Sequence, residues 1–133
     1  EAIGLSHVRL DQLERALPAG IVCVQNHYSL LDRAGEDALQ LALREGIAWV
    51  PYFPLGSAFD RFPNVADQPL VVETAEALGA TPAQVGLAWL LQHASNTHVI
   101  AGTSSVGHLE QNAAVGDIRI PDETMRQLDD LVD

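Results

Sequence analysis

The chain has 133 residues, 47% of them hydrophobic, and carries 18 acidic residues against 7 arginines, with no lysine, for a formal charge of −11. That length suits one domain, in which a chain of this size buries roughly two thirds of the surface it exposes when unfolded. The charge argues against nucleic acid or an anionic membrane as partner, and the absence of lysine removes Schiff-base and lysine-tuned proton chemistry from this chain.

Ile3-Gly4-Leu5-Ser6 reads as a buried strand with no element before it, and the first residue is Glu1 rather than Met. Both features lead us to expect a piece of something longer. No apolar run approaches the roughly 20 residues of a membrane span and no secretory signal pattern opens the chain, so a cytoplasmic protein is expected. The single Cys23, inside Ile21-Val22-Cys23-Val24, is expected as a buried strand thiol in a reducing compartment.

Four short runs, Ala2 to Leu5, Ile21 to Val24, Ile47 to Val50 and His98 to Ala101, alternate with helical patterns. Their continuity predicts parallel strands covered on both faces. After the first run, Leu10, Leu13 and Leu17 recur at helical spacing. After the second, Glu36 to Glu45 places Leu39, Ala42 and Leu43 on one stripe and Gly46 at a left-handed cap. A long loop, Phe53 to Gln68, follows the third run. Pro69 then opens a helix that Gly79 stops, and Thr81-Pro82 is an N-cap followed by proline in the first turn of a helix reaching His93. That helix presents Val85, Ala88, Trp89 and Leu90 or Leu91 inward. After the fourth run, Ser104 or Ser105 caps a helix reaching Val115, and Pro121-Asp122-Glu123 opens a last helix with Met125, Leu128 and Leu131 apolar. The order is α/β with parallel strands. Periodicity leaves open whether the strands form a small open sheet or half of an eight-stranded barrel.

Three segments bear on that choice: Val24-Gln25-Asn26-His27-Tyr28-Ser29, Val50-Pro51-Tyr52-Phe53-Pro54-Leu55-Gly56, and the string from Gly102 to Asn112. In this order, and over nearly the whole chain, they resemble the cofactor-side half of an aldo-keto reductase. The resemblance implies that residues 1–133 are one domain, the C-terminal half of a TIM (β/α)8 barrel, with the four runs as strands five to eight. It implies NADP(H) or NAD(H) as cofactor, held at the C-terminal strand ends where such barrels carry their sites, and a small carbonyl compound as substrate of the intact enzyme.

Residue by residue, Ser6-His7 falls where the family usually has Ser-Asn, and Gln25 joins that pair on the nicotinamide carboxamide. Tyr52 aligns with the aromatic on which the nicotinamide ring packs. Phe53, Leu55 and Ser57 fall in the small-residue turn under the pyrophosphate, with Phe53 in place of a common Ser. Gly102, Thr103 and Ser104 precede a helix N-terminus, where N–H groups and the helix dipole attract an anion. His108, Gln111 and Asn112 match the adenosine end. Gly102 and His108 stand where many members carry Lys and Arg for a 2′-phosphate, so the choice between NADPH and NADH is open.

No catalytic residue is expected in this chain, since the family's Tyr, Lys, Asp and His come from strands one to four and have no matching position. No metal site is expected either, because His27, His93, His98 and His108 lack zinc spacing, and no G-x-G-x-x-G or P-loop occurs. Two functional expectations follow. The first is the cofactor-binding half, a fragment, of an NAD(P)H-dependent oxidoreductase that reduces carbonyls when intact. The second is a self-standing, non-catalytic half-barrel acting in binding or assembly, for instance a homodimer closing eight strands through the edges Ile3 to Leu5 and Val99 to Ala101.

Overall fold

The computed structural model describes residues 2–56 and 63–132. Three parallel strands, β1 (Ile3–Ser6), β2 (Ile21–Gln25) and β3 (Ala48–Trp49), lie side by side in chain order. Leu5 pairs with Val24, Ser6 with Gln25, and Val24 with Trp49. Six helices follow or separate them: α1 (Leu10–Ala16), α2 (Glu36–Arg44), α3 (Pro69–Leu78), α4 (Pro82–His93), α5 (Val106–Ala113) and α6 (Asp122–Asp129). Adjacent parallel strands joined through a helix are the arrangement that repeated βα units produce.

The fourth run does not form a strand. Its contact with the sheet is one parallel bridge, Trp49 to Thr97, in which Trp49 N–H donates to the Asn96 carbonyl at 2.9 Å and His98 N–H to the Trp49 carbonyl at 2.8 Å. Beyond that bridge residues 98–101 form no regular element, and Ile100 lies on the surface. A strand is stabilised by neighbours on both sides, and residues 98–101 have one only along their start.

The expectation of strands covered on both faces also fails. Ile21 and Val24 are buried, but Ile3 is 46% and Val22 49% exposed, and Cys23 is half-buried. The helices cover one face of the sheet, and no described element covers the other.

Under the covered face the core gathers Leu13, Val24, Tyr28, Leu30, Leu39, Trp49, Val71, Val85, Leu87, Trp89, Leu90 and Leu128. α4 is its centre. Thr81 and Gln84 form the N-terminal capping box, and Val85 to Leu90 are all buried, more than the stripe its spacing predicts. At Gly86 a Cβ would stand 2.7 Å from a Leu55 methyl and 2.8 Å from a Val65 methyl, so glycine is what lets the loop after β3 press on this helix. α2 buries Ala38, Leu39, Leu41 and Ala42, a face rotated from the expected stripe. Gly46 takes the left-handed conformation expected past α2, and Gly79, which stops α3 as expected, takes it too. Ser105, rather than Ser104, caps α5 by accepting from the His108 N–H at 3.3 Å. α6 buries Leu128 and leaves Leu131, in the turn that follows it, exposed.

Candidate functional site

The strand exits carry the polar and aromatic residues singled out above. Ser6 ends β1 in register with Gln25, and His7 turns away with φ 54° while its N–H donates to the Gln25 carbonyl at 2.9 Å. That left-handed conformation suits few residues other than glycine, with Asn, Asp and His enriched among them. After β2, the Asn26 side chain clips the β1 exit in place: its Oδ1 accepts from Val8 N–H at 2.9 Å and its Nδ2 donates to the Val8 carbonyl at 2.7 Å. After β3, Tyr52 N–H donates to the Asn26 carbonyl at 2.9 Å and bridges His27 in parallel fashion.

Backbone pairing thus brings four rings from three exits together. The His7 Nδ1 and the Tyr52 hydroxyl share a hydrogen bond of 2.8 Å. The His27 and Tyr52 rings stack at 5.7 Å with 22° between planes, and Phe53 meets both edge-on, at 5.9 Å from His27 and 5.4 Å from Tyr52. His27 Nδ1 lies 3.2 Å from Asp32. Phe53 also has positive φ, 54°, and its carbonyl accepts the Gly56 N–H in a tight turn. Gly56 has φ 89°, and a Cβ there would come within 2.2 Å of the Pro63 carbonyl oxygen.

A second cluster lines a cleft of about 470 Å³: Leu55, Thr81, Gly102, Thr103, His108, Gln111 and Asn112 contribute to its walls. The Thr103 hydroxyl accepts from Ser105 N–H at 3.1 Å, the Asn112 amide donates to the Ala101 carbonyl at 3.4 Å, and Gln84 donates to the Gln111 carbonyl at 2.8 Å. Residues 102–111 are exposed throughout. The structure therefore groups Ser6, His7, Gln25, Tyr52 and Phe53 at one place and Leu55, Gly102, Thr103, His108, Gln111 and Asn112 at another. Ser104 is exposed and is not among the cleft-lining residues. Ser57 lies outside the described residues.

Sequence reasoning missed a third cluster, away from both. The buried Tyr28 hydroxyl donates to Glu36, whose carboxylate also accepts from Gln40 at 2.8 Å and lies 3.1 Å from His93 Nε2. Trp89 Nε1 donates to Asp129 at 2.9 Å, its ring stacks on His93 at 4.4 Å, and the Arg33 guanidinium sits 4.7 Å over it. Burial, and then the hydrogen bond to Glu36, push the Tyr28 phenol far above its ordinary range. Burial alone would raise Glu36 too, yet hydrogen bonds from Tyr28 and Gln40 and the neighbouring His93 hold its carboxyl below the ordinary 4.5. No spacing rule joins residues 28, 36, 93 and 129, so no local signal revealed this network. Among the described residues no group of three His, Cys, Asp or Glu could hold a metal ion, and no helix is long and apolar enough to cross a membrane.

The whole chain, residues 1–133, matches the Aldo/keto reductase family, and it belongs to that family. It is similar to pyridoxine 4-dehydrogenase of Escherichia coli K12, with 44% identity over 128 residues that cover 96% of this chain and 43% of that protein. Among solved structures it resembles a thermostable aldo-keto reductase in complex with the inhibitor epalrestat, at TM-score 0.87 and 32% identity, covering 98% of this chain and 48% of that one. It is also similar to an aldo/keto reductase from Klebsiella pneumoniae in complex with NADP and acetate, at TM-score 0.87 and 28% identity, covering 96% and 47%. The chain spans less than half the length of each of these relatives.

Proposed function

We propose that this chain is the cofactor-binding part of an NAD(P)H-dependent reductase of small carbonyl compounds, equivalent to the C-terminal half of the family's barrel. The observation that carries this reading is the aromatic platform built on Tyr52 at the exits of successive parallel strands, with a cleft beyond it walled by Leu55 and the Gly102 to Asn112 string. The cleft suits an adenosine with its phosphates. Among the described residues, no atom beyond its chain neighbours lies within 4 Å of where a Cβ on Gly102 would point, so the wall is open there, and the N-terminal end of α5 offers N–H groups to an anion without a basic side chain.

A bound reduced nicotinamide would supply the hydride. In this reading Tyr52 flanks its ring, Ser6 and Gln25 face its carboxamide, and the turn of Phe53, Leu55 and Ser57 lies under the pyrophosphate. Thr103 and Ser104 hold phosphate oxygens, and His108, Gln111 and Asn112 take the adenosine end. Tyr28 is not a substitute proton donor: its hydroxyl is buried, committed to Glu36 and harder to ionise than a free phenol. The proton-donor residues belong, in this reading, to the complementary half of the barrel.

Nucleotide titration of this chain tests the reading. Tyr52→Ala is expected to weaken NADPH binding, and Gly102→Lys with His108→Arg to shift the NADPH/NADH affinity ratio toward NADPH by about one to two decades for each substitution, since charge-assisted hydrogen bonds contribute about 1.5–3 kcal/mol each. An unchanged ratio overturns the placement of the 2′-phosphate site. The exposed Ile3, Val22 and Ile100 favour a second reading, in which two copies close one barrel through the edges Ile3 to Leu5 and Val99 to Ala101 and cover the open interior face. Light scattering at micromolar concentration separates the two: a monomer refutes the homodimer.

A further inference from the structure

His7 is the departure from the family's usual Ser-Asn pair at the β1 exit, and its position shows what the change does. Its left-handed backbone at φ 54° is anchored by the hydrogen bond from its N–H to the Gln25 carbonyl, so the side chain starts from a set direction. From there Nδ1 reaches the Tyr52 hydroxyl at 2.8 Å, with the two ring centroids 6.5 Å apart and tilted by 37°. The contact is an edge hydrogen bond and not a stack. His27 already covers one face of Tyr52 at 5.7 Å and Phe53 abuts it edge-on at 5.4 Å. Those two contacts restrain the ring, and its hydroxyl is tied by His7.

We propose that His7 is a positioning residue: it fixes the tilt of the Tyr52 ring, and so the plane offered to a flat nicotinamide, instead of binding the carboxamide through Nδ1. This rests on the cofactor reading above and adds to it a role for the one residue in the Ser-His pair that departs from the family. An imidazole nitrogen makes one in-plane hydrogen bond, so a Nδ1 committed to Tyr52 is not available to a ligand amide. The tie also spans two strand exits, from β1 across β2 to β3, and makes the platform a property of the assembled sheet.

Three variants of this chain test the assignment: His7→Ala, which removes the tie; His7→Asn, which keeps a polar group of similar reach and suits the positive φ; and Tyr52→Phe, which removes the hydroxyl but keeps the ring. The ¹³Cζ chemical shift of Tyr52, read without ligand, reports the phenol hydrogen bond. It is expected to move in His7→Ala and return toward the parent value in His7→Asn. Affinities for NADPH and for adenosine 2′,5′-bisphosphate, which lacks nicotinamide, are then compared. NADPH binding is expected to weaken about five- to tenfold in His7→Ala, the range one hydrogen bond supplies, and to recover in His7→Asn, with the bisphosphate unaffected. Tyr52→Phe should reproduce the loss, and the double variant His7→Ala/Tyr52→Phe should be no worse than either single change. An unmoved ¹³Cζ shift, equal weakening of both nucleotides or additive losses each overturn the proposal. If the parent chain binds neither nucleotide, the cofactor reading falls first and takes this role with it. If the parent binds both while His7→Ala changes neither affinity, only the role of His7 falls.

Discussion

Tyr28 and Tyr52 follow neighbouring strands, and each has a ring stacked on another ring and a hydroxyl tied to a distant side chain, yet they sit in opposite surroundings. Around Tyr28 everything is closed. The ring lies against Trp89 at 6.2 Å and Trp49 at 5.9 Å, the hydroxyl goes to Glu36, and Gln40, His93, Asp129 and Arg33 complete a network whose members are each other's partners. Around Tyr52 the ring is half-buried, Phe53 and His7 beside it are exposed, and the cleft beyond is walled in part by the exposed Gly102, Thr103, His108 and Gln111. The same motif, a hydrogen-bonded and stacked tyrosine, therefore stabilises the fold in one place and offers a surface in the other. Burial and the number of satisfied partners separate the two roles.

The sharpest way to break the closed region is Trp89→Ala. It deletes a fully buried ring, its stack on Tyr28 and His93, and the donor to Asp129. Urea denaturation is expected to show a loss of about 3–5 kcal/mol, the usual range for a buried aromatic. A loss under about 1 kcal/mol would mean that this cluster is not the centre of the fold.

Glu36→Gln is the next largest, because it removes the charge that organises the network. A carboxyl held below its unfolded value contributes stability that is fully present above that value, 4.5, and lost as pH falls through the lower folded one. The variant should therefore be less stable than the parent at neutral pH, by about 1–2 kcal/mol for a partly exposed carboxylate with charge-assisted hydrogen bonds. The gap should narrow as the pH falls below 4.5 and close once it lies below the folded value. Melts stepped downward from pH 7 through 4.5 to the acid limit of folding read this directly, and a gap that stays constant throughout refutes the role of the charge.

The smallest effect is expected on the open side. Val106 and Leu109 are 72% and 59% exposed on α5, one helical turn apart. Replacing Leu109 with Glu should change the unfolding free energy of this chain by no more than about 0.5 kcal/mol, as for surface positions without partners. A larger loss would show that α5 is held by packing this side chain.

Much of the local structure is legible in the residues. Gly46, Gly79 and the Thr81-Pro82 start mark helix ends because left-handed caps and first-turn prolines are decided within four or five residues. The α/β order and the parallel strands follow from runs of Val and Ile between helical periods. The motifs at 24–29, 50–56 and 102–112 pointed to the family, which the match over residues 1–133 bears out.

What the sequence alone determined is thus the element order up to the fourth run, most helix ends and the family. Only the tertiary structure decided which apolar residues are buried, because that depends on what lies across the sheet. Ile3 and Val22 have the character of core residues and are exposed, since no described element covers their face. It also decided that His98 to Ala101 has a single bridge to the sheet and that Ser105 is the cap. The joining of His7 to Tyr52, 45 residues apart, and of Glu36 to His93, 57 apart, was decided there too. Hydrogen bonds across such separations are set by strand register and helix packing, which act between segments and leave no periodicity within any one of them.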